Sequence, residues 1–209
     1  MWSQVLAFFN EGIVPILMKG GLVMIPLLAA SLFSLTVIIE RFCFWRYLRK
    51  QEVDATVLSL VAEGYLENAT QTASRSRHPV ARVLQAGLMH KGHAASTAME
   101  AAAQAELRRL RRYLPVLDTI ITLAPLLGLL GTITGMISAF GIVSETGLGQ
   151  PHAITGGIAE ALIATATGLF IAIMTLVPYN YFLAKAEQCT NRMEEQATRL
   201  ELLLLQQED

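Results

Sequence analysis

LDTIITLAPLLGLLGTITGMISAF (Leu117–Phe140) and IAEALIATATGLFIAIMTLVPYNY (Ile158–Tyr181) decide how this chain folds. Each is long enough to cross a bilayer as a helix, which takes about 20 mostly apolar residues. Neither reads as a plain anchor. Small residues and threonines are spread along both, and their acids are Asp118 and Glu160 alone. A lipid anchor needs no such surface, whereas helices that pack closely around a guest helix or an ion path do. A further apolar stretch, Gly21–Ile39, has Pro26 near its start and is followed by Glu40–Arg41. From Leu27 to Ile39 only Ser31, Ser34 and Thr36 interrupt it. The pattern predicts an all-α polytopic membrane protein with three transmembrane helices and cytoplasmic helical extensions.

Composition agrees. Apolar residues make up 53% of the 209 and charged residues 16%, against about 25% charge in soluble domains. A net charge of -1 gives no reason to expect a nucleic-acid partner. Cys43 and Cys189 stand far apart and outside any metal-ligand spacing, so they read as small apolar residues rather than a disulfide. Lys19 is the first basic residue, so no positive region opens a cleavable signal, and the first apolar stretch is expected to remain as a span.

Charge bias sets the expected topology. The region Arg46–Arg112 holds eleven Lys/Arg against six Asp/Glu, while the connection Gly141–Gly157 holds Glu145 and no cation. The positive-inside rule then places 46–112 in the cytoplasm, the short connection and the N-terminus outside, and the C-terminus inside. Lys19 dissents alone. The expected divisions are an external amphipathic segment 1–20, span 21–45, cytoplasmic helical region 46–112, span 113–140, external loop 141–157, span 158–182 and C-terminal helix 183–209. Trp2, Val5, Leu6, Phe9 and Ile13 suggest a short interfacial helix.

Outside the spans the pattern is helical. Val53–Leu66 carries Val57, Leu58, Leu60 and Val61 at three- and four-residue steps. The polar stretch Asn68–His78 with Pro79 is expected to break that pattern. Ala95–Leu114 aligns Met99, Ala103, Leu107 and Leu110, and Ala184–Leu205 aligns Met193, Ala197, Leu200 and Leu204. The arginines of these helices either meet lipid headgroups or line a solvated face.

Within the second span Gly128, Gly131, Thr132, Gly135 and Ala139 form a small-residue face, and the third span adds Ala161, Ala164, Thr165, Thr167, Gly168 and Ala172. Such faces let backbones approach closely. Pro125 is expected to bend the second span mildly, since it lacks an N–H to donate. At about 1.5 Å per residue Thr132 lies about 7 Å outward of its span's centre, and Thr165 about 6–8 Å outward of its own. Two readings stand: the hydroxyls line a ring at one depth in an oligomer, or each bonds back to its own helix.

Glu160 lies about 14 Å outward of the third span's centre. It either faces a polar cavity or serves as a first-turn acid matched to the helix dipole. Ala164 and Thr167 share its face, whereas Thr165 lies about 140° round. Asp118 sits near the inner end, where an interfacial structural role competes with proton transfer. No span carries an ionisable side chain near its midplane. A proton relay ordinarily needs one there, so any proton carrier must come from a partner. His78, His90, His93 and His152 show no metal geometry beyond the His90/His93 spacing, and no cofactor or catalytic motif is found.

Three stretches together carry a resemblance: Lys19-Gly20-Gly21 through Glu40-Arg41, APLLGLLGTITGM (Ala124–Met136) and GIAEALIATATG (Gly157–Gly168). The chain resembles the ExbB/TolQ branch of the MotA/TolQ/ExbB proton-channel family over nearly its whole length. The resemblance implies a homo-pentamer in the bacterial inner membrane, its second and third helices lining a central cavity. That cavity would hold an ExbD/TolR-like one-span partner bearing a membrane Asp, and work would pass through a TonB- or TolA-like protein. The family-matched polar positions are Thr132, Thr165 and Glu160; Thr167 stands where relatives often lack a hydroxyl. The implied role is energising outer-membrane transport, with a TolQ-like envelope role or a non-conducting scaffold as alternatives. Membrane lipid is an expected partner; a cofactor, a metal and an enzymatic activity are not.

Overall fold

The computed structural model describes residues 20–48, 53–90, 93–146 and 151–208. The N-terminal segment up to residue 19, with its expected interfacial helix, lies outside the described residues. Among the described residues seven helices run in chain order: α1 (Met24–Leu48), α2 (Asp54–Ala62), α3 (Leu66–Arg75), α4 (Pro79–Leu88), α5 (His93–Leu110), α6 (Leu114–Thr146) and α7 (Pro151–Glu208). The described fold is all-α, and three of its apolar stretches are long enough to cross a membrane.

Local chemistry sets the breaks. Gly64, with φ +84°, makes the left-handed turn between α2 and α3 that residues with a Cβ avoid. His78 is extended (φ -68°, ψ 136°) and Pro79 opens α4, where its missing N–H leaves no bond unmade. Between α5 and α6 the turn falls on Tyr113, which takes φ 69° without being glycine. Pro125 and Pro178 lie inside α6 and α7, and both helices continue through them. The expected connection 141–157 carries helix on both sides, to Thr146 and from Pro151, and the last span continues without a break towards the C-terminus.

The chain divides into two compact units. The first comprises residues up to Ile38 together with Pro115–Tyr179. Its interior is Met24, Leu27, Ile120, Ala124 and Ile171, with Val23, Ala30, Val116 and Leu127 packed against them. Its outer surface is apolar: Leu32, Phe33, Ile137, Phe170 and Val177 are 61–68% exposed. Such a surface is stable against lipid or further spans, not water.

The second unit comprises Ile39–Leu114 and the chain from Asn180 onward. Val57, Val61, Val80, Val83, Leu84, Met99, Leu110, Met193 and Leu200 build its core. One expectation is corrected here. Asn68–His78 does not simply interrupt the helical pattern, because α3 spans Leu66–Arg75 and buries Ala69 and Ala73 one turn apart. A stripe of two alanines is nearly silent in a hydropathy pattern yet suffices for close packing. The break itself is confined to the residues just before Pro79.

Polar clamps complete this unit. Arg192 of α7 donates from Nε and an Nη to the two carboxylate oxygens of Asp54 in α2, at 2.8 and 3.0 Å. Asp54 is buried. Arg41 is also buried; it bonds Glu40 at 2.7 Å, donates to the Arg109 carbonyl at 3.3 Å and stacks over Phe44 at 4.4 Å. Glu106 accepts from Arg82 at 2.7 Å.

Candidate functional site

In the first unit α6 and α7 meet along their small residues. A Cβ at Gly128 would stand 3.0 Å from the Thr165 Cα, and one at Gly135 would stand 3.0 Å from both the Ala161 Cβ and the Gly157 carbonyl oxygen. Gly131 faces the Ala164 methyl, and Gly168 lies directly against the Ala124 carbonyl and Gly128. Ala161 and Ala164 are buried in the seam. At these glycines the backbones leave little or no room for even a methyl, and that closeness lets a side chain on one helix reach the carbonyls of the other.

Thr132 and Thr165 use it. Their hydroxyls are hydrogen-bonded to each other across the seam. Thr165 Oγ1 also reaches the Gly128 carbonyl at 3.0 Å and its own Ala161 carbonyl at 3.3 Å, and Thr132 Oγ1 reaches the same Gly128 carbonyl at 3.3 Å. Each hydroxyl therefore bonds back to its own helix and also meets its opposite number within the same chain. The other span threonines behave differently. Thr134, Thr167 and Thr175 bond back within their own helices, Thr167 to the Ile163 carbonyl at 2.8 Å. Among the described residues Thr132 is also the one polar residue lining an open groove of 490 Å³ whose walls include Leu129, Ile133, Met136 and Phe140.

Glu160 occupies a separate place. Its carboxylate fills the position a Cβ of Gly21 would take, and Gly21 itself has φ +73°. Gly21 belongs to the turn that begins α1, its carbonyl accepting from Met24 N at 3.1 Å. The acid is thus held beside the amino end of α1, where the helix dipole favours a negative charge. Thr165 points instead to α6. Asp118 is exposed, and its carbonyl accepts from Thr122 at 3.3 Å. Thr132 and Thr165 are brought together, whereas Glu160, Thr167 and Asp118 are not joined to them.

Sequence reasoning missed the Gly21–Glu160 contact, the buried Arg41 and the Asp54–Arg192 clamp. A signal existed for the first: a glycine pair just ahead of an apolar helix marks a backbone that makes room for something. Among the described residues no group of three or more His, Cys, Asp or Glu is gathered to hold a metal. The side chain of His93 lies outside the described residues, so its expected relation to His90 is not addressed.

An all-α membrane chain whose last two spans are zipped by glycine and alanine and cross-bonded by threonine defines a class of helical membrane protein. Residues 75–195 match the MotA/TolQ/ExbB proton channel family. The chain is 36% identical to a biopolymer transport protein, ExbB-like 3 of Synechocystis sp., over 89% of its own length and 92% of the relative's. It is 40% identical to ExbB-like 1 of the same organism, over 89% and 76%. A shorter match, 36% identical over 35% of this chain and 32% of the relative, is to the Tol-Pal system protein TolQ of Pseudomonas aeruginosa. The chain belongs to the MotA/TolQ/ExbB proton channel family, in its ExbB/TolQ branch, and is a multi-pass membrane protein.

Proposed function

We propose that this chain is the inner-membrane subunit of a motor driven by the proton-motive force and energises a TonB-like system for outer-membrane transport. The observation that carries the reading is the Thr132–Thr165 clasp, a polar point in a seam whose spans lack an ionisable group at mid-depth. Such a clasp suits the surroundings of a carboxyl group that arrives on another helix. An ExbD/TolR-like one-span protein with a membrane Asp is the partner of that chemistry. Five copies of this chain around it, with N-termini periplasmic and C-termini cytoplasmic, form the proposed assembly. The full-length likeness to two ExbB-like transport proteins favours the TonB role over the TolQ-like one.

The energetics suffice. One proton crossing about 150 mV releases about 3.5 kcal/mol, a bias of about several hundredfold between two helix arrangements. In this reading Thr132 and Thr165 solvate the partner's Asp as it gains and loses its proton. Glu160 fixes the entry of α1 at the outer end, Asp118 stays an interfacial acid, and Thr167 is a minor contributor. The test is proton flux into proteoliposomes holding the complex with its one-span partner. Thr132→Val and Thr165→Val should each assemble normally and lose most of the flux. Unimpaired flux in both would refute the site. Flux from this chain alone, with no partner, would refute the borrowed carboxyl.

A further inference from the structure

A second site stands apart from the clasp, in the second unit. A half-open cavity of 650 Å³ lies there, walled by Phe42, Trp45 and Arg46 of α1 and by Tyr181, Lys185 and Gln188 of α7. Its contents are unbalanced. Among the described residues Trp45 Nε1 is buried without a hydrogen-bond partner, and an indole N–H can only donate. Leaving such a donor unpaired is unfavourable. Arg46 has no ion pair among the described residues. Lys185 donates to Gln188 Oε1 at 3.3 Å, lies 5.9 Å above the Tyr181 ring and has no ion pair among the described residues. Arg192, also in the wall, is already engaged by Asp54. Among the described residues of its wall the cavity thus offers an indole donor and two cations, with no acid to receive them.

The aromatic half of the wall says what kind of anion fits. Phe42 and Tyr181 are 55% and 51% exposed. They follow closely on the apolar runs that end at Ile39 and Val177. Aromatic residues at that level mark the boundary between hydrocarbon and water, and basic pockets beside spans at that boundary suit anionic headgroups. A small soluble anion would leave the rings bare. We infer that this cavity binds the headgroup of an anionic phospholipid, its phosphate taking the Trp45 N–H and the charges of Arg46 and Lys185 while its chains lie against Phe42 and Tyr181. The site is independent of the threonine clasp and of the direction in which the chain crosses the membrane.

The chain has two tryptophans, so Trp2→Phe leaves Trp45 as its sole indole, and any tryptophan of the one-span partner is likewise replaced by phenylalanine. The complex with its one-span partner is placed in nanodiscs of phosphatidylcholine containing rising fractions of brominated phosphatidylglycerol or brominated phosphatidylcholine. Trp45 emission should be quenched by the anionic lipid at the lower fraction, each cation contributing about a factor of five. Arg46→Gln and Lys185→Gln should each remove about that factor, and the double variant should lose the preference with helix content unchanged. Equal quenching by the two lipids overturns the inference, as does an indole neither can reach because another protein surface covers it. Displacement of the brominated lipid by millimolar inorganic phosphate would reassign the site to a soluble anion.

Discussion

Replacing Gly168 by alanine tests the α6–α7 seam most directly. The added methyl would overlap the Ala124 carbonyl oxygen and stand 3.1 and 3.2 Å from Gly128 Cα and N. These are backbone atoms of α6, so no side chain can swing away to make room. Carbon atoms prefer about 3.5–4.0 Å, and the helices must part by several tenths of an ångström or more. Overpacking of this kind costs about 1–3 kcal/mol, offset by about 0.5–1 kcal/mol for exchanging glycine for alanine in a helix. The expected net loss is about 1–2 kcal/mol. Gly141 supplies the control: it also lies in α6, but nothing stands within 4 Å of its added methyl, so Gly141→Ala should gain about 0.5–1 kcal/mol. The two variants should therefore differ by about 2 kcal/mol, about thirtyfold in folded-to-unfolded ratio. Unfolding in mixed micelles titrated with a denaturing detergent reads that difference. Because Gly128 also carries the carbonyl shared by the two hydroxyls, Gly168→Ala should depress proton flux as well. Equal stability of the two variants would refute the close-packed seam.

Other outcomes follow from the same contacts. Gly21→Ala should cost about 1–2 kcal/mol for the left-handed backbone and displace the Glu160 carboxylate; combining it with Glu160→Ala should cost less than the sum, and strict additivity in a double-mutant cycle would break the link. Asp54→Asn should destabilise the second unit by about 1–3 kcal/mol, because the Arg192 it leaves is only partly solvated, whereas Asp54→Leu with Arg192→Met should recover much of that in thermal unfolding. Thr134→Val, whose hydroxyl bonds only its own helix, should leave flux within about twofold of the parent if a lost exposed bond is worth at most about 0.5 kcal/mol.

Hydropathy and small-residue spacing carried most of the first unit. The spans were legible because a bilayer demands long apolar runs, and the seam because Gly128, Gly131 and Gly135 recur at helical steps. Rise per residue placed Thr132 and Thr165 at like depth, and the structure has their hydroxyls in contact. Rotation was harder. Whether Glu160 turns towards a cavity or towards the start of α1 depends on how three helices pack, and no periodicity along one helix reports that. The same limit hid Arg41, which reads as an ordinary flanking cation until Phe44, Tyr113 and the Arg109 carbonyl gather around it. Helix α3 was missed for a different reason: it packs through two methyl groups, which leave little trace among polar neighbours.

The shared carbonyl of Gly128 has a consequence for charge. Thr165 has two carbonyls to choose from, so in the proposed assembly it can stay satisfied while Thr132 donates its hydroxyl hydrogen outward to the partner's carboxylate. Were that carboxyl protonated, Thr132 would accept from it and donate its own hydrogen inward to Thr165 or to the Gly128 carbonyl. One hydroxyl rotation, at Thr132, converts one arrangement into the other, with no heavy atom displaced. The pair is thus amphoteric in its bonding, greeting an acid and its conjugate base with nearly equal ease, as a lining must if it is to hold a titrating guest without trapping either form.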